Sequence, residues 1–483
     1  MEIIITTLYS LSLLYIFLFS LGQLHLTWIY KRSKEATTTV EKLVDFPKVT
    51  VQLPVYNEKY VIERLLDAIS KFNYPKKKLE IQVLDDSTDE TTSIIIRKID
   101  QLRLLDLDFI LVHRENRAGF KAGALDHGIQ SAKGEFIAIF DADFIPEPDF
   151  LLETLPYFTD PTIGVVQTRW GHINKDYSLL TQLQAFGLDA HFSIEQSARS
   201  AAGSFINFNG TGGVWRKKCI EDAGGWSQDT LTEDLDLSYR AQLKKWKFKY
   251  LEDVATPGEL PIIMTAIKSQ QYRWNKGAAE TARKNFGKIL RSDLPMKNKV
   301  HAFFHLFNSS VFVCLLTAAL LSIPMLYIKQ SHPGIEWLFD FGIIFLIGFM
   351  SITLFYWVAT KRFYENSPAT TFLSLYPRFL IVSMGLSLHN GLAVLEGLLG
   401  RRTSFVRTPK FNLDKGEMWR QNSYITTRIN WLTILEGILC LYFIFGIIAG
   451  FQLHDNGLLL FHVMLTLGYG GVFYYSVRPA FHA

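Results

Sequence analysis

Hydrophobic and polar positions along the chain fall into three regimes. Residues 3–30 are almost continuously apolar and run into Lys31-Arg32, which predicts a helix long enough to cross a bilayer with a basic flank. This segment opens at Glu2 and exceeds the apolar region of a signal peptide, so an anchor is expected rather than a cleaved leader. From about 45 to 255, short β-branched runs at 49–53, 81–84, 109–112, 136–140 and 165–167 predict strands. Apolar residues at helical spacing over 61–69, 94–105, 122–129 and 150–157 predict helices between them. Strands alternating with crossover helices imply an α/β domain with a mostly parallel sheet covered on both faces.

Beyond this domain the pattern becomes amphipathic and then apolar. Residues 258–300 carry Lys268, Arg273, Lys276, Arg283, Lys284, Lys288 and Arg291, as expected of helices lying on a membrane surface. Segments 301–328, 335–360, 430–451 and 455–477 are each long and apolar enough to span. Residues 370–399 are apolar but broken by Pro377-Arg378, Ser387, His389-Asn390 and Glu396. Counting them as a sixth span would put Arg401-Arg402, Arg407 and Lys410 outside, against the positive-inside rule, so an interfacial or re-entrant helix is expected. The N-terminus then lies outside and the C-terminus inside. The expected organisation is an anchor at 1–30, a cytosolic α/β domain at 31–257, and interface helices at 258–300. A transmembrane hairpin follows at 301–360, an interface helix and loop at 361–429, and a second hairpin at 430–483. An integral, multi-pass protein of the plasma, inner or Golgi membrane is expected, with the lipid bilayer as its partner.

Composition agrees with this division. A 483-residue chain that is 48% hydrophobic and holds 37 Phe is too apolar for a soluble enzyme of its size. The formal charge of +4 is modest, and its Lys and Arg gather beside apolar segments rather than along one face, so no nucleic acid is expected as partner. Cys219, Cys314 and Cys440 are too few and too scattered for a disulfide framework or a zinc site.

Candidate chemistry concentrates at the ends of the expected strands, where sheets of this kind hold their ligands. Asp141 and Asp143 of Asp141-Ala142-Asp143 follow a buried strand; two such carboxylates suit a divalent cation, Mg2+ or Mn2+, that takes its other ligands from a diphosphate. Asp85 and Asp86 close another strand and are expected to hydrogen-bond a nucleoside base or ribose, with Tyr56 and Glu58 completing the pocket. Asp89 fits a helix-capping role instead. Lys121 opens a helix and can neutralise a phosphate; a plain surface lysine is the alternative. Thr232-Glu233-Asp234 begins a helix whose dipole favours first-turn carboxylates, and Asp234 is the carboxylate available as a base for an acceptor hydroxyl. Gln270, Arg273 and Trp274 lie on the basic amphipathic stretch, where Trp can serve as a platform for a sugar ring or simply pack at the interface. Gln167-Thr168-Arg169-Trp170 is a near copy, one residue shorter, and shows that such tetrads arise elsewhere. The stretch from Gly210 to Trp215 lacks the last glycine of a dinucleotide fingerprint, and no phosphate-loop Gly-Lys-Ser/Thr, zincin or nucleophile-elbow pattern is present.

Together these motifs resemble the processive family 2 glycosyltransferases of the cellulose and hyaluronan synthase type, nearest to the cellulose synthase-like A and C groups. The resemblance rests on Val83-Leu84-Asp85-Asp86-Ser87-Thr88-Asp89, Phe120-Lys121-Ala122-Gly123-Ala124-Leu125 and Ile139-Phe140-Asp141-Ala142-Asp143-Phe144. It rests equally on Phe208-Asn209-Gly210-Thr211-Gly212-Gly213-Val214-Trp215-Arg216 and Gln270-Gln271-Tyr272-Arg273-Trp274. It implies a GT-A fold, metal and diphosphate at Asp141 and Asp143, and Asp234 as the base beside Thr232 and Glu233. It further implies an acceptor end bordered by Gly210, Thr211, Gln270, Arg273 and Trp274. Phe405-Val406-Arg407-Thr408-Pro409-Lys410 resembles the gating loop of cellulose synthases, in which a Thr and a Lys, here Thr408 and Lys410, contact the nucleotide; Arg407 stands where that pattern has Val. The implied activity is inverting, processive polymerisation of a β-linked, β-1,4 mannan, glucomannan or glucan from GDP-mannose or UDP-glucose, with the growing polysaccharide passed across the membrane. The alternatives are a single transfer to a lipid such as ceramide, or a non-catalytic export component; accessory subunits are not indicated either way.

Overall fold

Among the described residues, seven strands hydrogen-bond into one sheet at the centre of the α/β domain: β1 (Val49–Val55), β2 (Leu79–Asp85), β3 (Asp108–His113), β4 (Phe136–Ile139), β5 (Ile163–His172), β6 (Gly213–Arg216) and β7 (Lys247–Gly258). The computed structural model describes residues 1–33, 43, 45–332, 342–403, 406–412, 423–424 and 429–481. The strand order is β3-β2-β1-β4-β6-β5-β7. Every pairing is parallel except those of β6, which runs antiparallel to both β4 and β5. The five expected strands are present; β6 and β7 are additional. Four residues behind a glycine-rich run are too short a signal for β6, and the charges Lys249, Glu252 and Asp253 obscure the alternation of β7.

Alternation along the strands sends side chains into two apolar layers. Val49, Val51, Leu53, Ala138 and Phe140 pack with Ile62, Leu65 and Ile69 of helix Ile62–Ser70 and with Ile95 and Ile99 of helix Thr91–Arg103. Ile137 and Ile139 face the other way, onto Ala124 and Leu125 of helix Phe120–Ser131 and Leu237 of helix Glu233–Leu243. On that face β1 and β2 bring polar residues inward, and they hydrogen-bond across the two strands: Thr50 donates to Glu80 at 2.6 Å and Gln52 to Gln82 at 3.0 Å. The stretch expected as one helix at 150–157 is a five-residue α-helix, Phe150–Thr154, running into a 3-10 turn, Leu155–Thr159, where Pro156 has no amide to continue α-helical bonding.

Among the described residues, four helices are long and apolar enough to cross a membrane: Glu2–Ser33, Ser310–Ser331, Trp431–Gln452 and Leu459–Arg478. Helix Gly342–Phe363 adds 22 residues, about 33 Å at 1.5 Å per residue, ending at Lys361-Arg362; the start of that expected segment, 335–341, lies outside the described residues. Helices Pro368–Gly385 and Ser387–Leu399 meet at a bend of 52° and are together long and apolar enough for one broken span or a re-entrant passage. The span expected from 301 begins later, because 301–306 belong to helix Met296–Leu306.

The 28-residue helix Met264–Arg291 carries the Gln270-x-x-Arg273-Trp274 motif and joins domain to membrane helices. Lys268 donates to Glu436 at 2.5 Å and to Ser476 at 2.7 Å, both on membrane helices. Tyr272 donates to Glu396, and Lys276 sits 3.3 Å from the same carboxylate. A Cβ on Gly397 would stand 2.6 Å from the Lys276 carbonyl, so only glycine lets helix Ser387–Leu399 pack this closely. The motif helix is thereby tied on one side to the apolar helices and reaches the cleft on the other.

Candidate active site

A cleft opens beyond the carboxyl ends of β1, β2 and β4 and encloses about 1260 Å3, its open mouth included. One wall comes from the ends of β1 and β2, tied together by the Asp86 amide donating to the Val55 carbonyl at 3.0 Å. Tyr56 lies there with the Arg117 guanidinium 3.3 Å above its ring centroid. Asp86 faces the cleft and receives two hydrogen bonds from Arg114, at 2.7 and 2.5 Å. Asp85 does not line the cleft: it is fully buried, and its carboxylate accepts from the Ser87 amide and the Thr92 hydroxyl and lies 3.0 Å from His113 Nδ1. Its geometry is that of a residue that shapes the turn carrying Asp86. Asp89 accepts from the Thr91 amide at 3.0 Å, at the start of helix Thr91–Arg103.

The floor is built where β4 ends. Ala142 is buried, and Asp141 and Asp143 on either side of it both face the cleft. Lys121, in the first turn of helix Phe120–Ser131, lies 2.5 Å from Asp141 and donates to the Gly210 carbonyl at 2.9 Å. Burial alone would lower the Lys121 ammonium, yet Asp141 and Glu233 hold it above its ordinary value, so it stays charged. Thr211 stands behind the lining, its hydroxyl accepting from the Asp141 amide at 3.0 Å. Gly210 has φ +78°, and a Cβ there would lie 3.1 Å from Asp234 Oδ2 and 3.3 Å from Lys121 Nζ. Glycine is required at this position by both backbone and space.

Asp234 enters from the first turn of helix Glu233–Leu243, with Oδ1 accepting from the Leu235 amide at 2.8 Å. Burial, reinforced by the negative charge of Glu233 and opposed by Lys121, pushes its carboxyl up to about 7. Burial also raises Glu233, against the pull of Lys121. Thr232 packs on Gly277, where a Cβ would stand 2.5 Å from its methyl group, so the motif is seated directly on helix Met264–Arg291.

Residues 406–412 form a further wall of the cleft. Arg407 donates to both oxygens of Glu58, at 2.8 and 2.7 Å, with its guanidinium 4.4 Å over the Tyr424 ring. Tyr424 donates in turn to Asp89. Thr408 accepts from Arg273 at 2.8 Å, Lys410 donates to Asp143 at 2.5 Å, and the amides of Phe411 and Asn412 bond Glu259. Phe405 lies outside the described residues.

Gln270 and Trp274 complete the cleft together with Trp170, His172 and Leu188. The near copy of the motif on β5 is therefore not incidental. Gln167 is fully buried and holds the loop at Asn209–Gly212 by donating to the Thr211 and Gly212 carbonyls while accepting from the Asn209 amide. Trp170 reaches the cleft, 6.2 Å from Trp274 between ring centroids. Arg114 and Arg117 are functional-site residues that no motif marks; their position just past β3, beside the two acidic strand ends, is the signal that the chain offers.

The donor chemistry fits a divalent cation. Asp141 and Asp143 offer hard oxygen ligands from one short turn, and each now faces a lysine that a diphosphate can engage instead. Among the described residues no group of three or more His, Cys, Asp or Glu could hold a metal ion alone, so a cation here would draw its remaining ligands from phosphate and water.

Residues 47–277 match the family described as Glycosyltransferase like family 2. Probable glucomannan 4-beta-mannosyltransferase 4 of Oryza sativa subsp. japonica is 41% identical over 280 residues, which are 57% of this chain and 51% of that protein. Glucomannan 4-beta-mannosyltransferase 1 of the same organism is 36% identical over 382 residues, 76% of this chain and 69% of that one. The chain thus spans between about half and two thirds of the length of these curated relatives. Among solved structures, a mannosyltransferase from Pyrobaculum calidifontis in complex with GDP-Man and Mn2+ superposes with a TM-score of 0.53 at 24% identity, covering 74% of this chain and all of that one, a likeness of GT-A fold. With one relative aligned over more than two thirds of both chains, this protein belongs to the family 2 glycosyltransferases, in their cellulose synthase-like branch.

Proposed function

We propose that this protein is an inverting, processive hexosyltransferase that builds a β-1,4-linked mannan or glucomannan from GDP-mannose and passes the chain through its membrane helices. The observation that carries the reading is Asp234, a carboxyl raised to about 7 that lies against Gly210 and beside the Lys121–Asp141 pair. A group with that value takes a proton efficiently near neutral pH. Asp234 removes the proton of the acceptor hydroxyl, the hydroxyl oxygen bonds to the anomeric carbon, and the bond from that carbon to the diphosphate breaks with its electron pair on the leaving group. One displacement inverts the centre, so an α-linked donor yields a β-linked product. Lys121, Arg273 and Lys410 offset the charge of the departing diphosphate. Mg2+ or Mn2+, held by Asp141 and Asp143, would supply further positive charge to that diphosphate. Tyr56, Asp86, Arg117 and the loop at Glu58 and Thr408 hold the nucleoside; Trp274 and Gln270 orient the acceptor.

The names of the curated relatives favour mannose, and UDP-glucose is the second donor to test. The apolar helices support a multi-pass protein whose catalytic domain, like the basic residues Arg401, Arg402, Arg407 and Lys410, faces the cytosol, with 370–399 interfacial or re-entrant. Purified protein in lipid with Mg2+ or Mn2+ and radiolabelled GDP-mannose should form polymer that an endo-mannanase degrades and that the Asp234→Asn variant does not make. Label confined to an extractable lipid would replace polymerisation by single transfer.

A further inference from the structure

We infer that Trp170, with His172 beside it, forms a second acceptor subsite that binds a pyranose ring of the growing chain together with Trp274. This inference rests on the proposed polysaccharide acceptor. Trp170 lies near the end of β5 and is only half buried, whereas Trp215 on neighbouring β6 is a fully buried core residue. Its ring is fixed from behind: Phe192 stacks on it at 4.9 Å and 30°, Phe144 meets it at 5.0 Å and 63°, and the indole NH points to the Thr211 carbonyl at 3.5 Å. A side chain immobilised on one side and open on the other forms a prepared binding surface, because little rotamer entropy is lost when a ligand arrives.

Gly171 and Gly258 line the same wall, and a Cβ on Gly258 would lie 2.6 Å from the Phe144 ring, so glycine there lets the ring that backs Trp170 take its place. His172, two residues further along β5, packs into the same wall with its side chain 4% exposed and Nε2 3.1 Å from Asp189 Oδ1. Trp170 and Trp274 stand 6.2 Å apart at 55°. At that distance the two indoles touch and leave no room for a ring between them; they form one angled platform on which a pyranose can lay a C–H face, with its hydroxyls at the rim. Aromatic platforms with a few placed polar groups are the general form of such sites.

The test is equilibrium binding of mannohexaose and cellohexaose to the full-length protein in lipid nanodiscs, for wild type, Trp170→Ala and Trp170→Phe, with GDP binding measured on the same samples. Loss of the indole should weaken hexasaccharide binding about tenfold or more, Phe should recover much of that loss, and GDP binding should change less than twofold. GDP binding also shows that each variant is folded, and Trp170→Phe remains available if the alanine variant is not. Equal hexasaccharide affinity in all three proteins, or parallel loss of GDP binding in Trp170→Phe, would overturn the subsite. Wild type that binds GDP but neither hexasaccharide would overturn the polysaccharide acceptor itself and the subsite with it.

Discussion

Replacing Arg407 by Val removes the one residue that departs from the gating-loop pattern and leaves Glu58 without its bidentate partner. The two side chains are 13% and 11% exposed, so this pair lies closer to the buried than to the surface regime. Breaking such a pair by removing one partner costs about 2–5 kcal/mol. The upper part of that range is not reached here: burial already raises the Glu58 carboxyl, with Arg407 holding it down, and without the arginine it can take up a proton instead of remaining a buried anion. A cost of about 2–3 kcal/mol then falls on docking of residues 406–412, a shift of about 30- to 150-fold toward the undocked loop. Thr408 and Lys410 ride on that loop, so KM for the nucleotide-sugar should rise by a comparable factor. The sign with pH follows from Glu58: the defect should be largest where the orphaned carboxyl is ionised and should shrink as pH falls and it protonates. The assay is a double-mutant cycle on donor KM with Arg407→Val, Glu58→Gln and the pair, at two pH values. Unchanged KM in Arg407→Val, or strictly additive single effects, would refute the reasoning.

Other perturbations have equally definite expectations. Glu233→Gln removes a negative charge that raises Asp234, so the acidic limb of the pH–kcat/KM profile should move below about 7, while Asp234→Asn should lower kcat by about 10²–10⁴-fold; a limb that stays put would detach it from Asp234. Gly210→Ala meets both a φ of +78° and the Asp234 oxygen, so it should cost about 1–2 kcal/mol of stability by thermal melt and most of the activity. Lys268→Met strands Glu436 on a membrane helix and should lower stability in detergent by about 3–5 kcal/mol, with Lys268→Met/Glu436→Leu recovering most of it.

β1 and β2 are legible because Val49-Thr50-Val51-Gln52-Leu53 and Leu79-Glu80-Ile81-Gln82-Val83 alternate apolar with polar residues, and β4 because Phe136–Ile139 is a continuous apolar run, as a buried parallel strand is. β7 was hidden by charges that point to solvent or to neighbouring helices: Glu252 takes hydrogen bonds from Tyr30, Ser197 and Arg362. The acidic motifs were legible because strand ends present ligands in such sheets, and Asp86, Asp141, Asp143, Glu233 and Asp234 all line one cleft. Their counterions were not legible. Arg407 reaches Glu58 across 349 positions and Lys410 reaches Asp143 across 267, contacts that only the folded chain creates. Trp170 was discounted for the same reason: one line of sequence carries no sign that β5 ends opposite Trp274. Asp85 shows the converse, a carboxylate in a motif that turns out to support its neighbour.

The most direct test of the central claim is incorporation of label from GDP-mannose, and separately from UDP-glucose, by the purified protein in lipid, with Asp234→Asn as control. Long polymer from GDP-mannose, degraded by endo-mannanase and absent with the variant, is the expected result. Label recovered only in extractable lipid, or polymer formed undiminished by Asp234→Asn, would contradict it.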